Sequence, residues 1–130
     1  MALNEQVDKL VGKLTVLSQG GKVDWEETAN PSAFQAVVSK FVVTVAFREP
    51  TVWSEPDYFE LEIRDQQGKF VDGANAASPK TEDWKRLEAL HELARRRALH
   101  VDEALSDLLA ALAVYSNQHL KGSSKISIVS

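Results

Sequence analysis

Phe41-Val42-Val43-Thr44-Val45-Ala46-Phe47-Arg48 decides the fold of this chain. Side chains alternate across a pleated strand, so Phe41, Val43, Val45 and Phe47 share one face and Val42, Thr44 and Ala46 the other. The second set is nearly as apolar as the first. A strand apolar on both sides belongs in the middle of a sheet and is covered above and below. The two-residue rhythm holds from about Ala33 to Asp72. From about Trp84 to Leu120 apolar residues instead recur every third or fourth position, which is the period of a helix. The switch predicts an α+β domain: an N-terminal helix, an antiparallel β-meander of about five strands, and a C-terminal helical hairpin packed on one sheet face.

Toward the N-terminus, Phe34, Ala36 and Val38 alternate in a strand ending at a Ser39-Lys40 bend. Asn30-Pro31-Ser32 is a turn. Lys22 to Thr28 reads as a further strand, with Val23 and Trp25 on one side and Asp24 and Glu26 on the other. Before it, Asn4 is a good helix N-cap, and Val7, Leu10, Val11, Leu14 and Leu17 make one apolar stripe. Gly20-Gly21 closes that helix.

Toward the C-terminus, the loop Glu49 to Pro56 carries two prolines and Trp53, and Asp57 to Arg64 alternates as a strand. A turn at Asp65-Gln66-Gln67-Gly68 leads into a short strand over Lys69 to Asp72, and a small-residue loop runs from Gly73 to Lys80. Ser78-Pro79 or Thr81 starts a helix whose stripe is Trp84, Leu87, Leu90, Ala94 and Ala98. After a break near His100, Asp102 reads as the N-cap of a last helix with the stripe Leu105, Leu108, Leu109, Leu112 and Tyr115. A single domain over 1–121 follows, with 122–130 a flexible tail or an added edge strand at Lys125 to Val129.

The 130 residues suffice for one core, and 44% hydrophobic with 26% charged residues is a globular composition. Cysteine is absent, which removes disulfides, thiolate nucleophiles and zinc–thiolate sites and fits a reducing compartment. No signal peptide or membrane span is visible, so a cytoplasmic location is expected. The net charge of −4 argues against nucleic acid as a partner.

No residue cluster has the spacing of a known chemistry. His91, His100 and His119 are nine and nineteen residues apart, whereas metal ligands on a helix stand three or four apart, so structural roles are the simpler reading. Arg95-Arg96-Arg97 fan around a helix axis in steps of about 100°, which favours solvated side chains near a helix C-terminus over a phosphate site. Glu60 and Glu62, beside Tyr58 and Arg64, suit a solvated strand face better than an acid–base pair. The acids around Trp25, namely Asp24, Glu26 and Glu27, lack the spacing of a calcium loop. No catalytic residue, metal or cofactor is therefore assigned.

Two sets of residues remain as candidates. Val42, Thr44 and Ala46, helped by Phe34 or Val37, form an apolar second sheet face that asks for a cover, and Trp53 is either a binding anchor or a plug folded back on the sheet end, the plug being favoured. Trp25 and Trp84 would line a ligand pocket between sheet and helices. The run Leu87-x-x-Leu90-x-x-Leu93-Ala94-Arg95-Arg96-x-Ala98-Leu99-x-Val101-Asp102-Glu103-x-Leu105 resembles the C-terminal helix pair of small bacterial proteins. Its motifs are packing motifs, so the resemblance carries no catalytic residue. The expected function is a non-enzymatic protein-interaction module of bacterial cytosol that self-associates into a homo-oligomer through a sheet face or edge. The alternatives are a small-ligand sensor and an acidic inhibitor or chaperone of a basic partner.

Overall fold

The computed structural model describes residues 4–51, 53 and 55–120. Two compact units divide it after Leu99, where the sequence suggests one domain to residue 121. The first unit holds helix α1 (Glu5–Gln19), strands β1 (Glu26–Glu27), β2 (Ala33–Val38), β3 (Phe41–Arg48), β4 (Tyr58–Asp65) and β5 (Phe70–Ala76), and helix α2 (Glu82–Ala98). The second holds helix α3 (Val101–Leu120). The α+β class and the order helix, five-stranded antiparallel sheet, two helices are those expected from the sequence.

The sheet order is β1-β2-β3-β4-β5, every pair antiparallel, so β3 is central. Short turns enforce this meander. Ser39 takes a left-handed conformation (φ 56°) in the β2–β3 turn, and Gly68 (φ 83°) supplies the same geometry between β4 and β5. There Asp65 Oδ1 accepts from the Gln67 and Lys69 amides at 2.9 Å, which is how aspartate stabilises tight turns.

On the covered face Phe34, Ala36, Val43, Val45, Phe59, Leu61 and Ala76 join Leu87, Leu90, Ala94 and Ala98 of α2 in one core. Helix α2 contacts all five strands and α1. Val7, Val11 and Leu14 of α1 enter the same core, so α1 lies on the α2 side and leaves the opposite sheet face open. Leu17, expected on the buried stripe of α1, is exposed. Both helices begin with side-chain caps: Asn4 Oδ1 accepts from the Val7 amide at 2.8 Å and Thr81 Oγ1 from the Trp84 amide at 3.2 Å.

Four expectations are corrected. The Lys22–Thr28 strand shrinks to Glu26–Glu27, because Val23 and Trp25 reach the core from a turn in which the Trp25 amide donates to the Val23 carbonyl. Strand β5 runs on through Gly73 to Ala76, with a register irregularity at Ile63/Arg64. A Cβ at Gly73 would lie 2.5 Å from the Leu61 carbonyl oxygen, so the glycine permits a close backbone approach and does not start a loop. Helix α3 starts at Val101, not after an Asp102 cap, and His100 before it is left-handed (φ 52°). Finally, the α3 stripe is not buried: Leu105, Leu108, Leu109 and Tyr115 are exposed and Leu112 is half-exposed. Lys125–Val129 and the side chain of His119 lie outside the described residues. None of the described helices is long and apolar enough to cross a membrane.

Val45 is fully enclosed at the centre of β3. Val45→Asp is expected to abolish cooperative folding, since it buries an unpaired charge; circular dichroism and thermal melting check this, and a native-like melt would contradict it. Gly73→Ala should destabilise the first unit by about 1–3 kcal/mol through overpacking against the β4 backbone. A denaturant midpoint equal to that of the natural chain would show that β5 approaches β4 less closely than described.

Candidate functional site

The open face of the sheet carries the first candidate set. β3 points Val42, Thr44, Ala46 and Arg48 outward, and the register sets Arg64, Glu62, Glu60 and Tyr58 of β4 beside them. Val42 and Thr44 are half-exposed, but Ala46 is buried, with Ala33 and Glu60 as its cross-strand neighbours. Ala46 is therefore not free surface on this face. Phe34 belongs to the core, and Val37 alone of the expected helpers faces outward, at 61% exposure.

Charge pairs cross this face. Arg48 Nε donates to Glu60 at 3.2 Å and Arg64 Nε to Glu62 at 2.6 Å. Donating this hydrogen bond to Glu62, together with the charge of Glu62, raises the Arg64 guanidinium above its ordinary value. Arg64 also stands 5.9 Å from the ring of Phe70, within cation–π range. Both glutamates thus accept from arginines on an open surface, which is the environment of a solvated ladder and not of an acid–base pair in a cleft.

The arginine run behaves as its helical fan implies. Arg95 makes a two-pronged contact with Glu92 at 2.8 Å, Arg96 lies 3.9 Å from the same carboxylate, and Arg97 reaches Asp24 at 2.5 Å. The hydrogen bond from Arg95, aided by the charges of Arg95 and Arg96, holds Glu92 below the usual carboxylate range. Arg95 and Arg96 share Glu92 while Arg97 turns to Asp24, so the three cations do not converge on one anion site. Asp24 is engaged by Arg97, while Glu26 and Glu27 are exposed on β1.

His91 is structural. Its Nε2 lies 2.9 Å from the Ser32 carbonyl, and its ring packs 5.4 Å from Phe34 and 5.3 Å from Phe59. His100 Nδ1 lies 3.4 Å from Glu103. Among the described residues no three His, Asp or Glu side chains gather as metal ligands would.

The three tryptophans separate by environment. Trp25 is buried at 3% exposure and donates through Nε1 to Ser18 Oγ at 2.9 Å. Trp84 packs edge-on to Phe59 at 4.7 Å and to Phe47 at 6.5 Å. Both occupy packed surroundings, and two clefts that the structure does show lie elsewhere. One of about 250 Å³ is lined by Gly12, Thr15, Lys85, Arg86 and Ala89 between α1 and α2. Here Arg86 crosses α1 above Gly12 to reach the Asp8 carboxylate and its carbonyl. The other, of about 190 Å³, is lined by Pro50, Glu55, Pro56, Tyr58, Asn75 and Ala77. Trp53 is 94% exposed, so it plugs nothing, contrary to the reading favoured from the sequence.

A further apolar surface, exposed among the described residues, is one that the sequence assigns to the core. From Val101 to Ser116 no side chain of α3 is buried, and Leu105, Leu108, Leu109, Val114 and Tyr115 are all exposed. The residues were legible as an amphipathic stripe; what the stripe faces was not. Compared with protein-family models, with curated proteins and with solved structures, the chain matches none.

Trp53→Ala should leave folding stability within about 0.5 kcal/mol of the natural chain, as for an isolated surface residue, while removing the emission most accessible to a neutral quencher. Trp84→Ala should cost about 3–5 kcal/mol, as for a packed aromatic residue. Equal destabilisation by the two changes, in chemical melts, would contradict this assignment.

Proposed function

We propose that the chain is a non-enzymatic interaction module of bacterial cytoplasm that associates with copies of itself. The observation that supports this is the exposed apolar stripe of α3. Soluble monomers rarely leave a contiguous apolar surface of that extent in water, and association removes it. The sequence alone points to a sheet face or an edge strand as the contact. The ion pairs now seen on that face, and the buried Ala46, favour α3 instead.

The alternatives have less support. Two clefts among the described residues, of about 250 and 190 Å³, are smaller than the roughly 300–1,000 Å³ of typical small-molecule sites, and neither is lined by Trp25 or Trp84. Capture of a basic partner would draw on acids such as the exposed Glu26 and Glu27 of β1, whereas Asp8, Asp24, Glu60, Glu62 and Glu92 are each paired with an arginine.

Light scattering on the full chain at tens of micromolar should give a mass above that of one chain. The double change Leu108→Glu and Leu112→Glu should return the mass to that of a monomer and leave the cooperative melt of the first unit in place, because charges in an association seam are desolvated without partners. A monomeric mass for the natural chain would overturn the proposal.

A further inference from the structure

We infer that α3 pairs with α3 of a second copy in the antiparallel sense, through Val101, Leu105, Leu108, Leu112 and Tyr115. This rests on the self-association proposed above and adds the partner surface, its direction and its register.

The spacing supplies the first argument. The five residues are separated by four, three, four and three positions. That is the 3.5-residue repeat at which two helices keep a common seam, with Leu105 and Leu112 at one core position of the heptad and Val101, Leu108 and Tyr115 at the other. Ala104 and Ala111 flank the seam on one side and Leu109 on the other. Small flanking residues let helix axes approach closely, and among the flanking positions only Asp102, on the side of Leu109 at the start of the helix, carries a charge. At 1.5 Å per residue the 20-residue helix is about 30 Å long, enough for nearly three heptads.

Charge supplies the direction. Asp102, Glu103 and Asp107 all lie in the first seven residues of α3, and no Asp, Glu, Lys or Arg occurs from Leu108 to Ser116. A parallel pair would set three acids beside three acids and two helix N-termini beside each other. An antiparallel pair sets each acidic end beside the uncharged half of the other helix and opposes the two helix dipoles. One helix therefore carries both halves of the match, as a two-fold contact between identical chains requires. The open sheet face of a second copy fits less well, since covering it would desolvate the Arg48–Glu60 and Arg64–Glu62 pairs.

In an antiparallel pair each first-type heptad position meets the second type across the seam. Of the registers this allows, the one that overlaps the two 20-residue helices along their whole length sets Leu108 against Leu112 of the second copy and Leu105 against Tyr115 of the second copy. Like residues then stand apart: Leu105 is displaced from its own copy by about ten residues, or ~15 Å along the axis, well beyond the ~7 Å that a disulfide spans.

The natural absence of cysteine makes the test direct. Leu105→Cys and Tyr115→Cys single variants of the full chain are mixed under mild oxidation, and each is also oxidised alone. The expected result is a covalent dimer in the mixture that exceeds either variant alone by tenfold or more, with a dimeric mass by light scattering before oxidation. Efficient self-linking of Leu105→Cys would point instead to a parallel pair or to an antiparallel pair shifted by one heptad. A dimer that forms neither link would show that another surface holds the copies together, and a tetrameric mass would rule out a two-helix pair. Each of these overturns the pairing while leaving self-association standing. A monomeric mass for the natural chain overturns both.

Discussion

Helix α2 is the part on which the rest of the first unit depends. It contacts each of the five strands and α1, so the sheet and the N-terminal helix share a core only because α2 lies between them. Leu87, Leu90 and Ala94 are completely enclosed, one on each successive turn. Alanine at position 94 keeps the helix close to the sheet, where a larger side chain would hold it away. The aromatic group of Phe47, Phe59 and Trp84, with His91 and Phe34 next to it, fills the gap where the N-terminal half of α2 passes over the strands.

With α1 and α2 on one side, the unit has two layers, and the reverse of the sheet must be stable in contact with water. The central strand solves this with mixed chemistry. Val42 and Thr44 stay half-exposed, and the arginine–glutamate pairs lie next to them. Exposed ion pairs of this kind contribute little to stability, typically 0–1 kcal/mol. Their value is that they keep a β-rich surface hydrated, as the polar face of an antiparallel sheet usually is.

How much of this was legible in the sequence depended on whether a pattern had one physical cause. The alternation of Phe41 to Phe47 could only be a strand, and its two-sided apolarity placed it centrally. Val23 and Trp25 alternate in the same way, yet they are a turn with two inward side chains, because burial of every second residue does not require a hydrogen-bonded neighbour. Gly73 reads as a break in sequence, but its role is set by the Leu61 carbonyl on the adjacent strand, and a linear pattern holds no information about that distance. The α3 stripe has the same limit on a larger scale: its period identifies an apolar face without saying whether the facing surface belongs to the same molecule. Trp53 carries no periodicity to argue from, and only coordinates place it in solvent.

The margins of the sheet have a consequence for how copies of this chain can meet. One margin, β1, is two residues long, too short a template for another strand to zip onto. The other, β5, is longer, but Asp72 places a carboxylate on it and turns that group back to accept from the Gly73 amide at 2.8 Å. Charge and brevity at the borders are how natural sheets avoid endless lateral growth into fibrils. A chain built this way can be kept concentrated without polymerising through its β-layer.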